Sequence, residues 1–241
     1  MDFHGKSAIV TGASIGIGRA TAEQLAKYGC GVTLVDVDAD RLNELADRLR
    51  ADGADILVCV CDVSDEARVN EVVKEATEHF GKVDIMVNNA GIWRRWMPFL
   101  ETTSDMWKHY IDVNILGTMY FAHAVLGQMV ERGYGRIINV ASVAGVYGNA
   151  NMADYSMTKG AIISFTKALA KEVTAKGVLV NAISPGSVSS NQDEIGPSDL
   201  SFMGRTGTHT ENANLICFLA SDEASYISAQ NIQVDGCRKK Q

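Results

Sequence analysis

The 241-residue sequence predicts an α/β fold: one domain, spanning 1–241, built on a doubly wound parallel sheet of about seven strands with helices on both faces. Three observations carry that reading. Short apolar runs of strand length alternate with longer segments of helical period. A glycine-rich turn joins the first strand to the first helix. No repeat, low-complexity tract or Pro/Ser-rich linker breaks the chain into parts.

The elements follow in order. A strand at 6–11 leads through the glycine turn into a helix at 16–28, and Gly29 closes it. A strand at 31–37 precedes a helix at 39–51 with Gly53 behind it, and a strand at 55–61 precedes a helix at 65–80 with Gly81 behind it. A strand at 83–88 is followed by a long helix at 104–131, then Gly133. A strand at 135–141 is followed by a helix at 152–176, with Gly177 opening the next strand at 177–183. A helix at 210–220 and a strand at 231–235 complete the pattern. The five glycines fall where helices commonly end on a left-handed residue, which supports this register. The stretch 186–209, polar and rich in Ser, Gly and Asp, is the least regular, and so long a loop in a compact domain is usually functional.

Composition narrows the function. Apolar residues make up 46% and charged residues 21%, ordinary for a globular chain. The net charge of −7 argues against nucleic acid or an anionic membrane as a partner, and the basic tail Arg238-Lys-Lys240 is too short to reverse that. The cysteines at 30, 59, 61, 217 and 237 form an odd set with no C-x-x-C pair and no metal-ligand spacing. They read as buried thiols in a reducing compartment. The first strand begins too early to leave room for a signal peptide, and no apolar run approaches the ~18 residues of a membrane span, so a cytoplasmic location is expected.

The cofactor end lies in Thr11-Gly-Ala-Ser-Ile-Gly-Ile-Gly18. Glycines at 12, 16 and 18 permit a tight turn and let a diphosphate approach a helix N-terminus, whose N–H groups and dipole favour anions. The motif follows the first strand and opens the first helix, which is the context of a Rossmann-type dinucleotide site. Eighteen residues beyond Gly18, at the end of the second strand, Asp36 stands where a carboxylate would accept hydrogen bonds from the adenosine ribose. The alternative for Asp36 is a solvated strand end. The same carboxylate would repel the 2′-phosphate of NADP(H). Ile15, Val37 and Asp38 supply no cation to meet that phosphate and the nearest is Arg41, so NAD(H) is the expected cofactor.

The chemical end centres on Tyr155 and Lys159. On one helix the i,i+4 spacing places phenol and ammonium on one face about a turn apart. A free phenol has a pKa of about 10, and a nearby ammonium is expected to bring it towards neutrality. Most Tyr-x-x-x-Lys pairs are surface neighbours, so the pair alone decides little. Ser142, thirteen residues upstream at the end of an apolar run, supplies a second hydroxyl.

Together these residues resemble the short-chain dehydrogenase/reductase (SDR) family from about residue 5 to residue 236. The glycine motif T-G-x-x-x-G-x-G is matched at Thr11 to Gly18, the Asn-Asn-Ala-Gly strand end at Asn88 to Gly91, and the helix asparagine at Asn114. Ser142, Tyr155 and Lys159 match the catalytic set, Asp62 with Val63 the contact to the adenine edge, and Pro185-Gly186 the turn after the sixth strand. The resemblance implies that Tyr155 exchanges a proton with the substrate oxygen while hydride moves to or from the nicotinamide, and that Ser142 steadies that oxygen. Lys159 would hold the nicotinamide ribose, and the helix backbone at Asn114 would hold a water linking Lys159 to solvent. Cofactor contacts implied are Gly12, Ser14, Ile15, Gly16, Ile17, Gly18, Asp36, Asp62, Val63, Asn89, Ala90, Gly91, Tyr155, Lys159, Pro185, Gly186, Val188 and Ser190. A capped strand end is the plainer role for Asn88 and Asn89. A homo-oligomer, dimer or tetramer, is also implied.

The chain departs from the family pattern in places. Ser190 replaces a threonine, Ala229 and Cys237 replace glycines near a region that commonly packs between subunits, and the Pro185–Arg205 segment is short for a substrate lid. On the substrate side, Trp93, Trp96 and Phe99 could wall an apolar, ring-sized pocket, with Arg94 or Arg95 meeting an acidic group. Packing of a loop or a subunit contact is the plainer account of those aromatics. Val146, Tyr147 and Met152 are further lining candidates. The leading expectation is a small-molecule secondary-alcohol dehydrogenase or ketone reductase, acting on a bulky alicyclic substrate such as a hydroxysteroid. Alternatives are a 3-oxoacyl-(acyl-carrier-protein) reductase, which usually draws on NADPH and needs basic surface, and a dinucleotide-binding regulator without turnover. A nucleotide-sugar epimerase is disfavoured because the chain lacks the length for a sugar domain.

Overall fold

The structure, a computed structural model, describes residues 1–93, 96–191 and 193–239. Seven strands form one parallel sheet in the order β3-β2-β1-β4-β5-β6-β7. They are β1 (Ser7–Thr11), β2 (Gly31–Asp36), β3 (Ile56–Val60), β4 (Ile85–Asn88), β5 (Gly135–Val140), β6 (Val178–Pro185) and β7 (Asn231–Val234). The order reverses between β1 and β4. That switch point opens a crevice at the carboxyl ends of the strands, where ligands bind in folds of this kind.

Alternation along each strand splits the core in two. From β1, Ala8 and Val10 enter one apolar layer while Ile9 enters the other. The first layer packs α1 (Gly16–Lys27), α2 (Ala39–Ala51) and α8 (His209–Ala220) through residues such as Leu25, Leu45 and Ile216. The second packs α3 (Glu66–Phe80), α5 (Gly117–Arg132) and α7 (Ala153–Val173). The helical period explains the choice of face: α3 buries Val69, Val72, Val73 and Ala76, a stripe at i, i+3, i+4 and i+7. Each of the three valines stabilises the fold by about 1.5–3 kcal/mol, and the smaller Ala76 by less. Four cysteines are buried in these layers, and Cys237 is exposed.

The predicted elements are all present, with three changes near the site. The helix expected at 104–131 divides into α4 (Ser104–Tyr110), a π-helical segment Ile111–Leu116 and α5. Gly117 restarts the α-helix where a Cβ would lie 2.6 Å from the Val63 side chain, so only a glycine lets the helix pass there. The combined span Ser104–Arg132 is long and apolar enough to cross a membrane by length and composition, but its Phe121, Val125 and Met129 are buried against the sheet. A short helix not foreseen, α6 (Val143–Tyr147), follows β5. Finally, β6 runs on to Pro185, which pairs with Val234, while α7 ends at Val173 in a 3-10 turn.

Candidate active site

The glycine turn sits at the carboxyl end of β1, beside the end of β4. Gly16 has φ +62°, a left-handed backbone that suits glycine. A Cβ on Gly18 would lie 2.0 Å from the Gly12 carbonyl oxygen, so the helix can begin there only without one. No side chain caps α1 behind Ile15, whereas Asp38, Asp65, Thr103, Ser142 and Thr208 cap α2, α3, α4, α6 and α8. The opening N–H groups of α1 therefore keep their capacity for an anion. Asn89 braces the turn: its Nδ2 donates to the carbonyls of Thr11 and Gly12 at 2.9 and 3.1 Å, and its N–H donates to Thr11 Oγ1 at 3.0 Å. The Ala90 N–H donates to the same hydroxyl. Asn88 donates to Asn139 inside the sheet. The capped-strand-end role thus describes both asparagines' own bonds.

Asp36 lies one strand away and organises the same turn. Its Oδ2 accepts from the Ser14 N–H at 3.1 Å, and its Oδ1 accepts from the N–H groups of Val37 and Asp38 at 2.8 and 3.2 Å. Ile15 and Val37 flank it, 56% and 65% exposed, so two apolar side chains face solvent beside the carboxylate. Arg41, the nearest cation foreseen, is held by Asp38 at 3.5 Å. Asp62 is exposed and binds Ser64, while Val63 is buried against Gly117. The glycine cradle, the uncapped helix and the ribose-side carboxylate fit the adenosine diphosphate half of a dinucleotide.

The catalytic candidates meet at the carboxyl ends of β4 and β5. Ser142 caps α6, its Oγ accepting from the Ala144 N–H at 3.1 Å, which fixes the hydroxyl. That hydroxyl hydrogen-bonds to Tyr155, three residues into α7. Lys159, one turn further, is buried and donates from Nζ to the Val140 carbonyl at 2.7 Å. Gly145 lets α6 come this close to α7, since a Cβ there would lie 2.4 Å from the Lys159 main chain. Asn114, in the π-helical segment, accepts from the Ile92 N–H at 2.8 Å and donates to the Ile92 carbonyl and Thr158 Oγ1, both at 3.1 Å. It joins the loop after β4 to the residue preceding Lys159. A Cβ on Gly91 would stand 3.2 Å from both Asn114 Oδ1 and Lys159 Nζ, so the three residues lie together.

The electrostatics correct one expectation. The phenol of Tyr155 is pushed up from its ordinary pKa, not down: burial dominates, the Ser142 hydrogen bond opposes it, and Tyr110 adds a further upward push. Lys159 Nζ donates to Val140 and stands 5.9 Å from the centre of the Tyr155 ring, and burial dominates the shift. Burial pushes the ammonium itself down to about 8.

On the substrate side a cleft of about 250 Å³ opens beside Tyr155, lined by Ile92, Met97, Met106, His109, Tyr110 and Asp154 among others. Tyr110 meets Tyr155 edge to face with ring centroids 6.4 Å apart. Trp93 and Trp96 do not line this cleft and are 53% and 61% exposed. Phe99 stacks on Trp107 at 5.2 Å, which is loop packing. Tyr147 donates to Gln233 Oε1 at 2.5 Å, Val146 is part-exposed beside it, and Met152 is buried ahead of α7. Arg94 and Arg95 lie outside the described residues.

The post-β6 turn is tight: Gly186 donates to the Val234 carbonyl, and a Cβ on it would strike Asp235. Beyond it Val188 bridges to Gly207, and Ser190 follows in the same loop. Sequence reasoning missed Tyr110 and Thr158 on the substrate and lysine sides. Only for Thr158 was there a signal, its position between Tyr155 and Lys159.

The family model described as short chain dehydrogenase matches residues 6–196. The chain is 37% identical to the 3-oxoacyl-(acyl-carrier-protein) reductase FabG of Escherichia coli (strain K12), with 98% of each chain covered. It is also 37% identical to the 2-dehydro-3-deoxy-L-rhamnonate dehydrogenase (NAD(+)) of Sphingomonas sp. (strain SKA58), covering 98% of this chain and 96% of that one. The FabG of Staphylococcus aureus (strain Mu50 / ATCC 700699) is 37% identical over 96% of this chain and 97% of its own.

Proposed function

The chain belongs to the short-chain dehydrogenase family, and from that premise we propose that it interconverts a secondary alcohol and a ketone with NAD(H) as hydride carrier. The observation that carries the chemistry is the convergence of Ser142, Tyr155 and Lys159 beside an open cleft. A bound nicotinamide would supply or receive the hydride. Because burial raises its pKa, Tyr155 is a neutral phenol at neutral pH and can donate its proton to a ketone oxygen. Ser142, oriented by its cap on α6, steadies that oxygen by a second hydrogen bond. Lys159 is placed to hold ribose hydroxyls and to take up the proton balance of the site, and Asn114 keeps Ile92 and Thr158 in place around it. The adenosine half falls to the glycine turn and Asp36, with Asp62, Val63, Ala90, Pro185, Gly186, Val188 and Ser190 as further contacts.

Asp36 supports NAD(H) over NADP(H), since no unpaired cation foreseen near it would offset a 2′-phosphate. One relative carries NAD(+) in its name at the same identity as the acyl reductases, so overall identity does not choose between them. The bulky alicyclic substrate expected above is set aside. The cleft is smaller than the ~300–1,000 Å³ usual for drug-sized ligands, and the tryptophans meant to wall a ring do not line it. A small or slender ketone fits better. A second reading, reduction of a 3-oxoacyl thioester, is favoured by the apolar wall of Ile92, Met97 and Met106 and by the full-length similarity to FabG. Assembly into a homo-oligomer belongs to the same proposal: Met119 on α5 and Met157 on α7 are 40% and 49% exposed. In a soluble enzyme of this kind the cytoplasm is the expected setting.

The test is NADH absorbance with purified protein and a panel of acetoacetyl thioester, 2-dehydro-3-deoxy aldonates and simple ketones. Turnover on at least one member is expected. Inactivity across the panel in both directions, with NADH bound, would favour a non-catalytic dinucleotide-binding protein.

A further inference from the structure

We infer that His209 is a positioning residue for the dinucleotide, acting through Ser189 to hold the loop after β6 against the glycine turn; this rests on the dinucleotide reading above. His209 is the first residue of α8 and is 8% exposed, an unusual burial for an imidazole at a helix start. Its Nε2 lies 2.9 Å from the Ser189 carbonyl oxygen. A carbonyl only accepts, so Nε2 carries the proton. The same nitrogen lies next to the glycine turn: a Cβ built on Gly16 would stand 3.9 Å from His209 Nε2.

The imidazole therefore lies beside two segments that both border the cofactor crevice. Ser189 lies between Val188 and Ser190, and further along the same loop Asp193 accepts from the Thr210 N–H at 3.0 Å, a second tie to the start of α8. Ser189 donates to the Gly207 carbonyl at 3.0 Å, Gly207 donates to the Ser187 carbonyl at 2.9 Å, and Gly196 donates to Thr206. The helix that carries His209 is firmly anchored. Thr208 and Glu211 form a reciprocal capping box, Arg205 binds Glu211, and α8 packs against α1 in the first core layer. His209 thus couples a rigid element to the stretch of the loop that carries Val188 and Ser190. Fixing that loop in advance would spare the cofactor the entropy of ordering it.

Two variants test this. His209→Asn is polar but too short to reach the Ser189 carbonyl, and His209→Gln restores a donor at similar reach. Amide hydrogen exchange of segment 187–190, without cofactor, should be faster in the Asn variant and close to wild type in the Gln variant. NADH affinity by fluorescence titration should weaken about tenfold in the Asn variant, the worth of one hydrogen bond, and stay within about threefold in the Gln variant. Unchanged exchange and unchanged affinity in the Asn variant would overturn the inference even if its melting temperature fell, since that pattern marks a purely structural histidine. Failure of the wild-type protein to bind either NADH or NADPH would instead overturn the dinucleotide reading, while the exchange measurement would still judge the latch itself.

Discussion

Lys159 donates its ammonium proton to the Val140 carbonyl at 2.7 Å, while the Tyr155 ring that precedes it by one turn is centred 5.9 Å away. The lysine is thus held by β5 and not by the phenol. A buried ammonium with one carbonyl partner is poorly compensated, and its pKa falls from 10.5 to about 8. Such a site is costly for folding, and it offers a cation to a ligand that brings hydroxyl oxygens.

That cost has a pH signature. The folded pKa of Lys159 lies below the unfolded one, so between about pH 8 and 10.5 the unfolded chain binds the extra proton and stability rises with pH. Below pH 8 both states are protonated and the full penalty applies. Urea unfolding of wild type and Lys159→Met from pH 7 to 10 should show wild type gaining on the variant as pH rises, by roughly 3 kcal/mol at most. A constant difference would mean that the ammonium is not depressed.

The proposed preference for NAD(H) rests on Asp36. Wild-type protein should bind NADH at least about tenfold more tightly than NADPH, because the 2′-phosphate would meet a carboxylate already holding three main-chain N–H groups. Asp36→Ala should narrow that gap, chiefly by losing NADH affinity. Parallel fluorescence titrations measure both, and equal wild-type affinities would remove the basis for NAD(H).

Ala229 and Cys237, where the family pattern has glycines, keep left-handed backbone with φ of 61° and 59°. A residue with a Cβ pays roughly 1–2 kcal/mol there, part of which glycine returns as unfolded-state entropy. Ala229→Gly, whose N–H still donates to the Val180 carbonyl, should raise stability by about 0.5–1 kcal/mol in urea unfolding, and Cys237→Gly by a similar amount. A loss of stability in both would show that the backbone relaxes to avoid the strain.

Much of this site was legible in the sequence because backbone chemistry dictates it. A turn that admits no Cβ at Gly18 must be written with glycine, and parallel strands buried on both faces must be written as short apolar runs. What stayed hidden depends on three-dimensional neighbours. The π-helical segment around Asn114 has no distinct composition, and α6 is too short for a period to emerge. The upward shift of Tyr155 arises from burial, which i,i+4 spacing cannot report. Trp93 and Trp96 looked like pocket walls by type, yet the cleft is walled by methionines and Tyr110 from α4 and its flanking loops. The left-handed backbone at Ala229 and Cys237 is invisible in residues that do not favour it.

The central claim is that Tyr155 transfers the proton in a reaction powered by a bound nicotinamide, and Tyr155→Phe tests it most directly. With the best ketone from the substrate panel and saturating NADH, the variant should lose a hundredfold or more of wild-type turnover, while its NADH dissociation constant stays within about twofold. Turnover within tenfold of wild type, at equal NADH affinity, would contradict the account.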